Sequence, residues 1–195
     1  MARTQQERRA ATVAALLDAS IATIAEIGYA RASAKVIAKR ANVSDGALFR
    51  HFETMGDFMA ATAQEVLRRQ LERFGKQVAE IPAEVPALEA VLTVLRDLTA
   101  NSSSAVVYEL LIAARTDDKL RATLSDVLAE YSAKICEAAQ VLPGAEAFPP
   151  ELFPNLVALL TDTFYGAAIV RAVLPQPEIE ANRIPLLLTL LDGRI

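Results

Sequence analysis

The chain has 195 residues, 53% of them hydrophobic, a net charge of −4, one cysteine and one histidine. This balance excludes a disordered chain, a disulfide-built scaffold and a histidine–cysteine metal centre. Its apolar runs are broken by charge before reaching the ~18 residues of a membrane span, and the lone Cys136 suits a reducing, cytoplasmic setting.

Residues 5–27 carry Val13, Leu16, Leu17, Ile21, Ile24 and Ile27 at three- and four-residue steps. That spacing predicts an amphipathic helix, ended by Gly28. Arg3, Arg8 and Arg9 before an apolar stretch imitate a secretion signal, but Glu7, Asp18 and the helical period mark mature structure. Basic residues at a helix start oppose its dipole, so these arginines read as a mobile arm or a solvated tail.

Ser33 predicts the cap of a second helix whose small apolar face is Ile37, Ala38 and Ala41. Asn42-Val43-Ser44 is a break: Asn tolerates the left-handed backbone that ends a helix, and Ser44 is a favoured cap for a third. Val43, Leu48 and Phe52 would bury that third helix, while Gly46 and Ala47 keep its outer surface low. Two short helices joined by a tight turn fit a helix-turn-helix, whose second helix enters the major groove of DNA.

Residues 55–79 predict a long helix with Met59, Ala63, Val66, Leu67, Leu71, Phe74 and Val78 on one face. A loop around Pro82 and Pro86 follows, then helices at about 86–100, 103–116, 117–141, 150–173 and 177–192. The fold class is therefore all-α: an N-terminal three-helix head with a helix-turn-helix over residues 1–54, and a C-terminal helical domain over 55–195. The last two helices are apolar on too many faces for a one-sided surface helix, so part of that surface must be covered. Charge is divided the same way. Residues 1–56 hold eight Lys and Arg against five acids, while the remainder is acidic. A basic head on an acidic body is what phosphate contact requires.

Residues 10–60 resemble the tetracycline-repressor (TetR) family of bacterial transcriptional regulators. The resemblance rests on Gly28-Tyr29, Ser33, Ile37-Ala38, Ala41-Asn42-Val43-Ser44 and Gly46-Ala47-Leu48-Phe49-Arg50-His51-Phe52. It implies a homodimer that reads double-stranded operator DNA through Ser33, Lys35, Lys39, Ser44, Asp45, Gly46, Ala47, Phe49, Arg50 and His51. It also implies a small-molecule effector pocket in the body, for which Phe74, Leu95, Tyr108, Leu111, Ile112, Tyr131, Phe164 and Tyr165 are the candidates. By the same resemblance the last two helices pair across a two-fold axis, through Leu156, Leu160, Phe164, Ala167, Leu187 and Leu191. Glu109 and Arg115 read as exposed charges or as groups that orient a charged ligand.

Four positions depart from the family pattern: Asn42 stands where a turn Gly is usual, which Asn tolerates, and three more bear on DNA contact. Asp45 adds a negative charge at the mouth of the recognition helix, Phe49 lacks the usual Tyr hydroxyl, and Met55 replaces a Lys. Together they imply weaker phosphate anchoring than the family norm. No glycine-rich phosphate loop, Gly-x-Ser-x-Gly elbow or cluster of metal ligands occurs in the sequence, so neither catalysis nor a cofactor is expected. Two readings follow: a ligand-responsive repressor released from a palindromic operator by a small apolar effector, or a helical dimeric binding module with weakened or lost DNA affinity.

Overall fold

The computed structural model describes residues 4–44, 46–82, 84–142 and 144–192. Arg3 and Asp45, used above, lie outside the described residues. Helix α1 (Gln5–Ile27) starts at a capping box: the Thr4 hydroxyl accepts from the Glu7 N–H at 3.2 Å, and the Glu7 carboxylate accepts from the Thr4 N–H at 2.7 Å. That cap places Arg8 and Arg9 within the helix, so these two are not part of a mobile arm. α2 (Ala34–Arg40), α3 (Met55–Ala79), α4 (Ala87–Thr99), α5 (Ser104–Ala114), α6 (Asp118–Gln140), α7 (Phe153–Val173) and α8 (Pro177–Asp192) follow, with no strand among the described residues.

The expected third helix is shorter and tighter than predicted. It is a 3-10 turn, Leu48–Arg50. Gly46 weakens helix initiation on one side. On the other, a second capping box restarts the chain as α3, with Asp57 N–H donating to the Thr54 hydroxyl at 3.1 Å and Thr54 N–H to the Asp57 carboxylate at 2.9 Å.

The chain packs as two compact units, residues 1–68 with 102–130, and residues 69–101 with 131–195. These units cut across the functional division expected at residue 54, because α5 and the first half of α6 belong with the N-terminal segment. The first unit buries Leu16, Ile24, Ile37, Leu48, Phe58, Met59, Val66, Leu110, Leu120 and Leu124. Inside it Thr62 Oγ1 lies 3.0 Å from Ser20 Oγ and 2.9 Å from the Phe58 carbonyl, so the buried hydroxyls of α1 and α3 satisfy each other.

The second unit is built on Leu92, Phe164 and Ile184, with Leu88, Leu95, Leu160, Leu187 and Leu188 packed around them. α7 and α8 form its C-terminal hairpin. Glu180, largely shielded from solvent, accepts from Arg183 at 2.9 Å and from Arg171 at 3.3 Å, tying the two helices together. Both helices leave apolar side chains in solvent: Leu159, Ile169, Val170 and Val173 on α7, with Leu159 at 62% and Val173 at 87% exposure, and Ile179, Leu186 and Leu190 on α8. By length and composition alone, α1 and α7 are long and apolar enough to cross a membrane, contrary to the expectation that every apolar run is too short. α1 buries its stripe within its unit; α7 does not.

Candidate nucleic-acid interface and ligand cavity

The helix-turn-helix is set by its turn. α2 begins at Ser33, whose hydroxyl accepts from the Val36 N–H at 3.4 Å. It ends in paired bonds, Val43 N–H to the Ala38 carbonyl at 3.0 Å and Asn42 N–H to the Lys39 carbonyl at 3.2 Å. This is the Schellman closure, and it forces Asn42 into the left-handed region at φ 55°. Among the described residues Asn42 is the one non-glycine with positive φ. We expect Asn42→Val to cost about 1–2 kcal/mol, because a β-branched side chain clashes there; denaturant titration of the purified chain checks it, and an unchanged midpoint would refute this account of the turn.

Past the turn, Ala47 and Leu48 are buried while Phe49 and Arg50 face solvent. Phe52 packs against Phe58 with ring centroids 4.8 Å apart and planes tilted by 55°, which pins the far end of the Leu48–Arg50 turn to α3. Ser44 is exposed; its carbonyl accepts from the Ala47 N–H at 2.8 Å, and its hydroxyl accepts from Arg50 Nη2 at 3.3 Å. Gly46 has nothing within 4 Å of where a Cβ would stand, so this part of the backbone is open to a close-approaching partner.

Arg8, Arg9, Arg50 and His51 line one open groove, together with Gln5, Thr12, Val43, Ser44 and Ala47. The groove therefore brings the first turns of α1 beside the recognition turn. Lys35 and Lys39 are exposed on α2, while Arg40 pairs with Glu26 of α1 at 2.6 Å. His51 is half-buried, and its Nδ1 is shielded with no hydrogen-bond partner. Of the expected DNA-contact residues, Ser33, Lys35, Lys39, Ser44, Gly46, Phe49 and Arg50 are at the surface; Ala47, at 4% exposure, is the groove floor. Arg8 and Arg9 gain a fixed place beside them that the sequence reading did not assign.

The second unit holds a narrow cavity of about 10 Å³, room for about one water molecule, between Gln70, Leu71, Phe74, Leu95, Leu98, Thr99, Tyr131, Ile135 and Tyr165. Gln70 is 4% exposed, and its carboxamide oxygen accepts from the phenols of Tyr131 at 3.4 Å and Tyr165 at 3.3 Å. Burial pushes the Tyr165 phenol above its ordinary pKa, the charge of Asp162 adds to this, and the Tyr131 hydrogen bond opposes it. Tyr165 is thus a neutral donor at physiological pH.

Four of the expected pocket residues, Phe74, Leu95, Tyr131 and Tyr165, line this cavity together. The others do not. Tyr108, Leu111 and Ile112 belong to the first unit, where Tyr108 is buried and the other two are exposed. Phe164, at 2% exposure, is core of the second unit. Phe164 is thus withdrawn from any partner subunit; Leu160 and Leu187 are partly buried and pack on the core, and Leu156, Ala167 and Leu191 are half-buried. Gln70 was missed because a lone glutamine on an amphipathic helix carries no signal of burial. Glu109 is not a free surface charge either, since it accepts a hydrogen bond from the backbone of Tyr29.

A family model described as bacterial regulatory proteins, tetR family, matches residues 16–62, which span the helix-turn-helix and its flanks. An uncharacterized HTH-type transcriptional regulator of Mycobacterium tuberculosis is 72% identical over 193 residues, 99% of each chain. Among solved structures, a TetR-family transcriptional regulator of Rhodococcus sp. matches with a TM-score of 0.74 at 20% identity, over 94% of this chain and 98% of its own. The regulator FadR of Bacillus subtilis, solved in complex with stearoyl-CoA, matches with a TM-score of 0.59 at 18% identity, over 89% and 96%.

Proposed function

This chain belongs to the tetR family of bacterial regulatory proteins, a DNA-binding transcriptional regulator and not an enzyme, and from that premise we propose that it is a cytoplasmic repressor. A homodimer binds a palindromic operator and is released by a small, largely apolar effector. Residues 1–54 read DNA, and 55–195 bind the effector and dimerise. The observation that carries this reading is the exposed set Lys35, Lys39, Phe49 and Arg50, held over a buried Ile37, Ala38 and Leu48. Buried anchors with charged outward neighbours are what a docking element needs: the fold fixes the backbone, and the free side chains meet phosphates and base edges.

The partner surface is the open face of the C-terminal hairpin. Leu159, Ile169, Val170 and Val173 recur on one side of α7, and Ile179, Leu186 and Leu190 on one side of α8. An apolar surface of that extent favours a second copy over water. A two-fold dimer in turn presents two recognition turns to half-sites ~34 Å apart or a multiple of that.

For the effector, the cavity lining offers apolar walls and the uncharged polar groups of Gln70, Thr99, Tyr131 and Tyr165. The stearoyl-CoA complex of the Bacillus regulator is a precedent for a ligand that carries a long acyl chain, there on a charged carrier, in a protein of this fold. The cavity is nearly closed as it stands, so a ligand must part Gln70 from the two phenols to enter. Entry therefore selects a different packing of α3, α6 and α7, which is how binding and release become linked. Coupling of about 1–3 kcal/mol would change operator occupancy roughly 5–150-fold.

The test is selection of bound sequences from a random DNA pool, followed by salt titration of the winner. A palindrome whose affinity falls steeply with salt is expected. Arg50→Ala and Lys39→Ala should each weaken binding and lower the salt slope by about one, while light scattering still reports a dimer. Unchanged affinity in both variants would overturn the interface. A dimer that enriches no sequence would favour the alternative, a helical ligand-binding module that has lost its DNA affinity.

A further inference from the structure

One side chain of α5 reaches the main chain at the end of α1. The carboxylate of Glu109 accepts the backbone N–H of Tyr29, 80 positions earlier in the chain. Its two oxygens lie 3.3 and 3.6 Å from where a Cβ on Gly28 would stand, and Gly28 has a φ of +84°. The acid therefore lies flat against the Gly28–Tyr29 peptide, in a place that any side chain at position 28 would crowd.

This turn sets the direction of the helix-turn-helix. Gly28 N–H closes α1 on the Ile24 carbonyl at 2.9 Å; then Ala32 N–H bonds the Tyr29 carbonyl at 3.0 Å, and Ser33 caps α2. Whatever fixes Tyr29 fixes the heading of α2. A neighbouring element bears on the same residue: burial raises the Tyr29 phenol above its ordinary pKa, and the charge of Asp117, which caps α6 through the Leu120 N–H at 3.0 Å, adds to this. α6 is also the helix that supplies Tyr131 and Ile135 to the cavity.

We propose that Glu109 is a positioning residue for DNA reading: by holding the Gly28–Tyr29 turn through its main chain, it fixes the recognition element against α5 and the start of α6, and loosening that tie is how a rearrangement of α6 reaches the DNA surface. This rests on the DNA-binding reading above. The part played by Glu109 is to accept a hydrogen bond, so an amide oxygen can replace it while a methyl group cannot.

The experiment uses the full-length chain, the DNA selected from the random pool, an unrelated duplex of equal length, and amide hydrogen exchange at Tyr29. Glu109→Ala is expected to raise the dissociation constant for the selected DNA by about tenfold or more. Affinity for the unrelated duplex stays within about twofold, because the phosphate-contacting charges are untouched. Glu109→Gln is expected to restore selected-DNA binding to within about threefold of wild type. Tyr29 amide exchange accelerates in Glu109→Ala alone. Wild-type affinity in Glu109→Ala, an equal loss in Glu109→Gln, or unaltered Tyr29 exchange would each overturn the proposal. A wild-type chain that selects no DNA would instead sink the DNA-binding reading and this role with it, and the Tyr29 exchange would still decide whether the tie exists in solution.

Discussion

Val170→Glu combined with Leu186→Glu should yield a folded monomer with no specific operator affinity. Both side chains stand in solvent in the single chain, so the double variant leaves the core of its unit intact. Its helical content should match wild type. In a dimer that covers the α7 and α8 faces, each large apolar side chain contributes about 1.5–3 kcal/mol by burial. Replacing two of them with carboxylates removes that gain and adds the cost of burying charge without a partner, several kcal/mol per ion. On a two-fold interface every change counts twice, so the dimer constant should weaken by more than about a thousandfold. A lone head then meets a single half-site, and affinity falls toward the non-specific range. Light scattering at micromolar concentration reads the first effect and operator titration the second. Persistence of the dimer would show that another surface holds the copies together. Phe164→Ala makes the contrast: it removes a core ring and should cost about 3–5 kcal/mol of stability without selectively splitting the dimer.

Leu48→Ala should cost about 2–5 kcal/mol in the first unit, whereas Phe49→Ala next to it should change stability by less than about 0.5 kcal/mol. Leu48 is fully buried, and its carbonyl accepts from both His51 at 3.0 Å and Phe52 at 3.0 Å, so it anchors the recognition turn to the core. Phe49 is 53% exposed and anchors nothing. Since a whole domain is stable by only about 5–15 kcal/mol, the first change consumes a large part of the margin. The head is then expected to open locally, losing DNA affinity before the second unit unfolds. Phe49→Ala should act on DNA affinity alone. Hydrogen exchange over residues 33–52, set beside denaturant titration, separates the two, and equal stability losses from both substitutions would contradict the burial described for this turn.

The helices were legible where sequence period and caps agree. α1 and α3 fall where the stripes of Leu16, Ile21 and Ile24 and of Met59, Val66 and Leu67 placed them, and Ser33 and Asn42 bound α2 as their local chemistry dictates. Three things were not legible. The Leu48–Arg50 turn is a contest between Gly46 and the Thr54 cap of α3, too local for a periodic signal to resolve. On α7 and α8 apolar residues occupy nearly every face, so no contrast says whether Leu160 or Leu159 turns inward; only the packing against Leu92 decides it. Finally, Gln70 and Glu109 owe their roles to partners 61 to 95 and 80 positions away. Such pairings lie beyond any local pattern.

The discontinuity of the first unit has a consequence for how the chain is made. Residues 1–68 complete their packing only with residues 102–130, so on the ribosome the head waits until α5 and half of α6 have emerged. For that interval α1, long and apolar enough by composition to pass for a membrane span, has α2 against it but lacks the cover of α5. At ~5–20 residues per second the wait from residue 68 to residue 130 lasts several seconds. The nascent chain is most vulnerable to chaperone capture, proteolysis or self-association in that window, and less so once Leu110, Leu120 and Leu124 have closed over it.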